Sequence, residues 1–286
     1  MTAASSTAVR RGKFPTGHYL RIAGGVIACA FFLFPVFWMV LTSFKMPRDI
    51  FTTPPTLFFT PTIETYTSYI WHADVPRRML NTVIVACGAG LLSIVAGSMA
   101  GYALARVKLR GAATIGALIL LSRGVPPIAL AVPMFLVARR LGIADQHITL
   151  ILAYCTFLIP YVMWLMRSFF KSLPPELEES AMLDGCTRFG AFVRIIVPIS
   201  MPGLLSTLIF SIILAWEELL FALVLTNRFA TTIPVAIAGI AGDSVNGANW
   251  GALTAVGTLT VIPVVIFALL VQKWLIKGLA DGATKG

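Results

Sequence analysis

Long apolar runs separated by short polar segments dominate this chain. Six of the runs reach at least about the 17 residues that a helix needs to cross the hydrocarbon core of a bilayer. They cover residues 20–42, 82–104, 113–137, 150–166, 199–225 and 253–275. The pattern predicts an all-α membrane protein with six transmembrane helices within residues 20–277, flanked by tails at residues 1–19 and 278–286.

Two of the predicted spans carry local signals at their starts or centres. Asn81 and Thr82 precede the second span, where a short polar side chain can accept from the free amides of a first helical turn. The third span is interrupted by the sequence Arg123-Gly124-Val125-Pro126-Pro127. We expect a broken helix there that lines a cavity, because irregular backbone at membrane depth must be shielded from lipid.

The distribution of basic residues predicts the orientation. With six spans both tails lie on one side, together with 14 of the 22 Lys and Arg residues, while seven lie on the other side and Arg123 lies within the membrane. Because cytoplasmic loops are enriched in Lys and Arg, both termini are expected in the cytoplasm. The net charge of +10 is explained by basic cytoplasmic loops that face anionic lipid, so nucleic acid is not an expected partner.

Overall composition agrees with a membrane location. The chain is 58% hydrophobic and 12% charged, with a mean hydropathy of +0.88. These values lie far from those of soluble globular domains.

A polar stretch at residues 174–198 interrupts the apolar pattern. Pro174 and Pro175 favour a helix start, glutamates fill the first turn, and Gly185 favours a stop. The stretch predicts a short cytoplasmic helix with an apolar ridge and an acidic rim. It could lie on the lipid surface, but lipid-surface helices favour basic polar faces, so a basic protein partner is the better fit.

Candidate pathway residues lie in the third and fifth spans. Arg123, with Pro127 beside it, is costly at mid-membrane by at least about 2.5 kcal/mol. It is either a substrate-path or gating residue, paired with Glu217 or Glu218, or half of a structural ion pair. Near the outer end of the fifth span, a carboxylate could accept sugar hydroxyls while the indole face of Trp216 packs on a pyranose ring. The alternative for these residues is a solvated helix end.

The polar stretch also carries a resemblance. Glu179-Ser180-Ala181, Gly185 four residues after Ala181, and Ile195-Ile196-Val197-Pro198 resemble the Glu-Ala-Ala loop of binding-protein-dependent ABC importer permeases. Ser180 replaces an alanine and Val197 a leucine of that pattern. Other segments are similar to the carbohydrate branch, the second membrane subunit of maltose-type importers. They are Asn81-Thr82, Gly101 to Arg106, Trp216-Glu217-Glu218 and Gly278 to Gly286. Glu217 departs from the family, which usually has asparagine there.

The resemblance implies a set of partners. The coupling residues would dock on an ATP-hydrolysing subunit; they are Glu178, Glu179, Ser180, Ala181, Leu183, Asp184 and Gly185. Glu179 would pair with a basic residue of that subunit and Leu183 would pack into it. Two such subunits would hold ATP and Mg, since this chain has no phosphate-binding loop of its own. A second homologous permease would complete the pathway. An extracytoplasmic binding protein would contact Gly239, Asn246 and Asn249, in the loop between the fifth and sixth spans.

The predicted function is that of a permease subunit in the inner or plasma membrane of a prokaryotic cell. It would form half of the pathway for a sugar, polyol or glycoside, without catalytic residues, cofactor or metal of its own. The alternative is an ion-coupled secondary transporter of a small polar solute, using Arg123 with Glu217 or Glu218.

Overall fold

The computed structural model describes residues 16–72, 74–107, 110–242 and 249–283, and for residues 16–18, 72, 271 and 273–283 it describes the backbone alone. The described residues are helical, with no strand. The main helices are α1 Thr16–Ser43, α2 Val75–Arg106, α3 Ala112–Leu121, α4 Pro127–Arg140, α5 His147–Ser172, α6 Glu176–Leu183, α7 Met201–Trp216, α8 Leu220–Leu225, α9 Ile233–Ala241 and α10 Trp250–Ala283. Short helical segments cover Pro47–Ile50, Thr65–Tyr69, Ile70–His72, Ser122–Gly124, Arg188–Ala191, Phe192–Ile196 and Val197–Ile199.

Four helices, α1, α2, α5 and α10, are each long and apolar enough to cross a membrane. Two further candidates are bent pairs. Ala112–Gly124 and Pro127–Arg140 meet at 89°, and Arg188–Ile199 and Met201–Trp216 meet at 79°. Counting each pair as one span gives six in the described residues. The first bend lies at the predicted interruption, because Pro126 and Pro127 cannot continue the amide ladder of a preceding helix.

The second span begins earlier than the cap signal predicts. Helix α2 starts at Val75, so Asn81 and Thr82 lie inside it and do not cap its start. Their side chains serve tertiary contacts instead. The Asn81 amide donates to the carbonyls of Phe229 and Thr231, and the Thr82 hydroxyl accepts from the Ile233 amide at the start of α9.

The fifth span ends earlier than predicted. Helix α7 stops at Trp216 instead of continuing to residue 225, and α8 starts at Leu220. The Glu218 carboxylate explains the break, because it accepts from the amides of Phe221 and Ala222. A side chain that satisfies the free amides of a new helix favours ending the old one.

Close packing of α2 against α5 forms the centre of the bundle. A Cβ on Gly97 would lie 2.7 Å from Cβ of Val162, and one on Gly101 would lie 2.8 Å from the Met163 carbonyl oxygen. Glycines four residues apart let two membrane helices approach at backbone distance. The core continues from this contact toward α7 and α8, where Trp216 is buried.

Candidate functional site

Helix α6 presents one exposed stripe to the surroundings, made of polar residues and one leucine. Glu176, Glu179, Ser180 and Leu183 are all exposed and occupy positions i, i+3, i+4 and i+7 of the helix. This spacing places them on a single face. Leu183 is 89% exposed, which is unusual for a leucine on a short helix that packs on the rest of the chain. The stripe is therefore a surface suited to a protein partner.

The opposite face of α6 is held by a buried carboxylate. Glu178 is 5% exposed, and its Oε1 accepts a hydrogen bond from the hydroxyl of Tyr102 near the end of α2. Its Oε2 lies 3.8 Å from Nε of Arg106. Arg106 in turn donates through Nη2 to the Leu173 carbonyl at 2.7 Å. We call Glu178, Tyr102 and Arg106 the α6 anchor.

Aromatic side chains pack against the Tyr102 ring of the α6 anchor. The Tyr102 ring lies 4.4 Å from that of Phe192 and 6.0 Å from that of Phe170, measured between centroids. Phe192 belongs to the segment that follows α6, and Phe170 to α5. Ile196 is fully buried in the same cluster. Through Tyr102 and Arg106, α6 is therefore connected to α2 and, by the packing of Tyr102, to α5 and the segment leading into α7.

A glycine turn ends α6, as the sequence predicts. Gly185 has φ +87°, and its amide donates to the Met182 carbonyl while the Cys186 amide donates to that of Ala181. This pair of bonds is the Schellman arrangement, which needs a left-handed residue after the helix end. The Thr187 hydroxyl then accepts from the Gly190 amide and starts the next helix.

The seven predicted coupling residues therefore divide between two faces. Glu179, Ser180, Leu183, Asp184 and Gly185 are exposed, whereas Glu178 and Ala181 are buried against the bundle. The buried pair cannot touch a partner directly in this structure; it positions the exposed five.

The predicted pathway residues lie in two places. Trp216 and Glu217 line a cleft of about 340 Å³, together with Leu219, Pro234, Ile237, Ala238 and Thr260. Glu217 is exposed to the cleft, but Trp216 is only 1% exposed and packs edge-on against Phe267. The expectation that the indole face packs on a sugar ring is not supported, because the ring is covered by its own chain. Glu217 is the charged group among the residues that line this cleft.

Arg123 lies at the bend between α3 and α4, beside Pro127. Its guanidinium stacks over the Tyr161 ring at 5.4 Å. Within the described part of the chain, no carboxylate lies within 4 Å of it, so the expected pairing with Glu217 or Glu218 is absent. Glu218 is instead engaged as the cap of α8. Arg123 and Glu218 therefore have separate partners in this structure, an aromatic ring and backbone amides.

The predicted binding-protein contacts lie near α9 and α10. Gly239 is exposed, with open space around its Cα. Asn249 accepts through Oδ1 from the Ala252 amide, which makes it the cap of α10. Asn246 lies outside the described residues. Across the described ranges, no three His, Cys, Asp or Glu residues are grouped as metal ligands.

Asp145 organises a second polar site that the sequence pattern did not indicate. Its carboxylate accepts from four successive amides, those of residues 227–230, at 2.9–3.1 Å. Burial acts to raise the pKa of this carboxyl, but the four amide donors outweigh it and hold the pKa below its ordinary value. Its backbone is left-handed, with φ 58°, which aspartate tolerates better than most residues. A lone Asp in a short loop gives no local signal of such a role.

Comparison with known proteins identifies the family. The model of the family described as binding-protein-dependent transport system inner membrane component matches residues 93–281. A probable ABC transporter permease of Sinorhizobium fredii is 37% identical over 89% of this chain and 91% of its own length. The trehalose/maltose transport system permease of Thermococcus litoralis is 34% identical over 93% of this chain and 96% of its own.

A solved structure shares the fold. One chain of a bacterial ABC transporter involved in the import of the acidic polysaccharide alginate superposes with a TM-score of 0.72 at 22% identity, covering 94% of this chain and 99% of that one. The resemblance drawn from the Glu-Ala-Ala loop is confirmed. The chain belongs to the binding-protein-dependent transport system inner membrane component family, and it is a transport subunit, not an enzyme.

Proposed function

We propose that this chain forms half of the translocation pathway for a sugar, polyol or glycoside in an ATP-driven importer. An extracytoplasmic binding protein delivers the solute, a second homologous permease completes the pathway, and two separate subunits bind ATP with Mg and hydrolyse it. The names of relatives that transport trehalose and maltose support the carbohydrate class.

The observation that carries this proposal is the two-faced construction of α6. One face is tied by Glu178 to Tyr102 and Arg106, and the other offers Glu179 and Leu183 to a partner. A short helix inserted into a groove of the ATP-hydrolysing subunit transmits its displacement to the bundle only if its other face is fixed there. Helix α6 has both an exposed face and a face that is fixed to the bundle.

The proposed orientation places α6 and both termini in the cytoplasm. The Lys and Arg distribution supports it, with 14 on that side against seven on the other. Helix α1 supports a membrane-embedded partner, because residues 19–37 of its apolar segment are all exposed in this chain. Lipid and the second permease would share that face.

The cleft beside Glu217 is the proposed contribution of this chain to the pathway. Its exposed carboxylate can accept hydroxyl groups, and its walls are otherwise apolar apart from Thr260. Arg123 and Pro127 mark the bend between α3 and α4, which we assign to the pathway wall. Gly239, Asn246 and Asn249 remain proposed contacts of the binding protein.

The test is the stability of the complex when the exposed stripe is altered. Leu183→Glu places a charge where an apolar contact is proposed, so the ATP-hydrolysing subunits should be lost when the importer is purified through a tag on this chain. Leu57→Glu is the matched control, because Leu57 is also exposed, at 57%, but lies in the segment between α1 and α2. Equal recovery of the ATP-hydrolysing subunits with both variants would contradict the docking role.

A further inference from the structure

Five arginines gather at the end of the bundle that is far from α6. They are Arg77, Arg78, Arg139, Arg140 and Arg228, and all except the half-buried Arg78 are exposed. Arg77 and Arg106 are separated along α2 by about 44 Å at 1.5 Å per residue. In the proposed orientation this end is extracytoplasmic, and these five are among only seven Lys and Arg residues on that side. Their concentration runs against the usual depletion of basic residues there and calls for a functional reason.

Three of the arginines lie at one loop, residues 226–231, and Arg78 and Arg140 are their sequence neighbours. The Arg77 guanidinium lies 5.3 Å from the centre of the Phe229 ring, and its Nη2 donates to the Phe229 carbonyl at 3.4 Å. Arg139 lines a cavity of about 450 Å³ with Asp145 and Asn227. Arg228 belongs to the loop itself. We call the five arginines together with Phe229 the basic surface.

The backbone under the basic surface is held from two sides. Asp145 accepts from the amides of residues 227–230, and Asn81 donates to the carbonyls of Phe229 and Thr231. His147 contacts one support and the loop, with Nε2 at 2.7 Å from Oδ1 of Asn81 and its ring edge-on to Phe229. Because the loop is ordered in advance, a partner would not have to order its backbone on binding.

The charge of the basic surface is largely uncompensated. Asp74 pairs with Arg77 at 3.3 Å, and the Asp145 carboxylate is occupied by amides. Of the described residues, no carboxylate lies within 4 Å of Arg139, Arg140 or Arg228. Phe229 beside them is 56% exposed. Arginine around an exposed aromatic ring is the composition enriched in protein interfaces.

We propose that the basic surface docks an acidic surface of the extracytoplasmic binding protein. The inference rests on the proposed function and adds a contact area separate from Gly239, Asn246 and Asn249. Complementary charge of this kind steers encounter and fixes the orientation of the docked partner. Anionic lipid is the competing occupant. A lipid headgroup needs no fixed loop, whereas here four amides and two carbonyls are engaged to hold Arg228 and Phe229 in one geometry.

The test measures association of the purified cognate binding protein with the complete importer in nanodiscs. The variant carries Arg139→Glu and Arg140→Glu. We expect its association rate to fall about ten-fold or more at low salt, and the difference from wild type to shrink near 1 M salt, where the Debye length is about 3 Å. Arg48→Glu is the control, since Arg48 is an exposed arginine on the same proposed side, outside the basic surface, and should associate at the wild-type rate.

The same measurement in nanodiscs with and without anionic lipid separates the two occupants. One outcome is that the double variant binds the binding protein as fast as wild type, while anionic lipid changes the ATP hydrolysis rate of wild type but not of the variant. The basic surface would then bind lipid, and the proposal is overturned. Association equal to wild type with no lipid effect also overturns it. A wild-type importer whose ATP hydrolysis ignores the binding protein altogether would instead refute the proposed function. Recovery of the variant with its partner subunits in the wild-type ratio shows that it has folded.

Discussion

The bond between Tyr102 and Glu178 should determine how firmly α6 is held. Tyr102→Phe removes the hydroxyl but keeps the ring, so the 4.4 Å contact with Phe192 remains. Both Tyr102 and Glu178 are less than 10% exposed, at 7% and 5%, so water cannot readily replace the lost donor. A hydrogen bond to a charged group contributes about 1.5–3 kcal/mol. At about 1.4 kcal/mol per factor of ten, local opening of α6 should become roughly 10- to 150-fold more frequent.

Hydrogen exchange at the end of α6 measures this opening. The amides of Asp184, Gly185 and Cys186 donate to carbonyls of the helix at 3.0–3.1 Å and exchange only when it opens. Their exchange should accelerate by the factor above in Tyr102→Phe. In reconstituted importer, less solute should be carried for each ATP hydrolysed, because a loosened α6 moves without moving the bundle.

A control and a second variant make the reasoning refutable. Tyr66→Phe also removes one hydroxyl, which donates to Ser43 at 2.6 Å near the other end of the bundle, and should leave exchange in α6 unchanged. Glu178→Gln removes the charge, and the double variant with Tyr102→Phe should cost less than the two single changes together, because both act on one bond. Unaltered exchange at the three amides in Tyr102→Phe would show that the buried bond does not hold α6.

Three further predictions address the turn, the core and the outer loop. Gly185→Val forces a branched side chain to φ +87° and should abolish solute uptake by proteoliposomes. Gly185→Asn should retain part of the uptake, because asparagine tolerates the left-handed region. Equal uptake by the two variants would contradict the turn argument. Gly101→Leu brings Cβ within 2.8 Å of the Met163 carbonyl and should lower the thermal unfolding midpoint, by overpacking of about 1–3 kcal/mol or more, while Gly24→Leu, with open space around it, should not. Asp145→Asn should make residues 226–231 more susceptible to protease at neutral pH. Burial acts to raise the folded-state pKa of Asp145, but the amide donors outweigh it and lower this pKa. The stabilisation by the carboxylate is therefore present at neutral pH and is lost as pH falls through the lowered pKa. If the variant and wild type differ in protease susceptibility by the same amount at every pH, the Asp145 carboxylate does not stabilise the loop.

Local features of the sequence predicted α6 well. Proline and glutamate at its start and glycine at its end act on backbone groups within one or two turns, so α6 and the turn at Gly185 could be recognised without knowing their surroundings. The interruption at Arg123 was predictable for the same reason, since adjacent prolines break a helix wherever it lies.

Signals that act over long distances misled the prediction. Asn81 and Thr82 have the chemistry of a helix cap, but their partners are carbonyls and an amide about 150 residues later, so α2 starts at Val75 without them. Trp216 suggested a sugar platform, yet its ring is buried against Phe267. Neither outcome can be read from the residues nearby.

The sequence alone determined the class of this protein, the number of its apolar spans and the existence of an acidic helix between two of them. Each of these depends on the length of an apolar run or on capping within a turn, which are properties of neighbouring residues. Only the tertiary structure decided which face of that helix is free. Tyr102 and Glu178 are 76 residues apart and meet because Gly97 and Gly101 let α2 approach α5 closely, beside the aromatic cluster on which α6 rests. Packing between distant segments therefore fixes one face of this acidic helix against α2 and leaves the other face exposed.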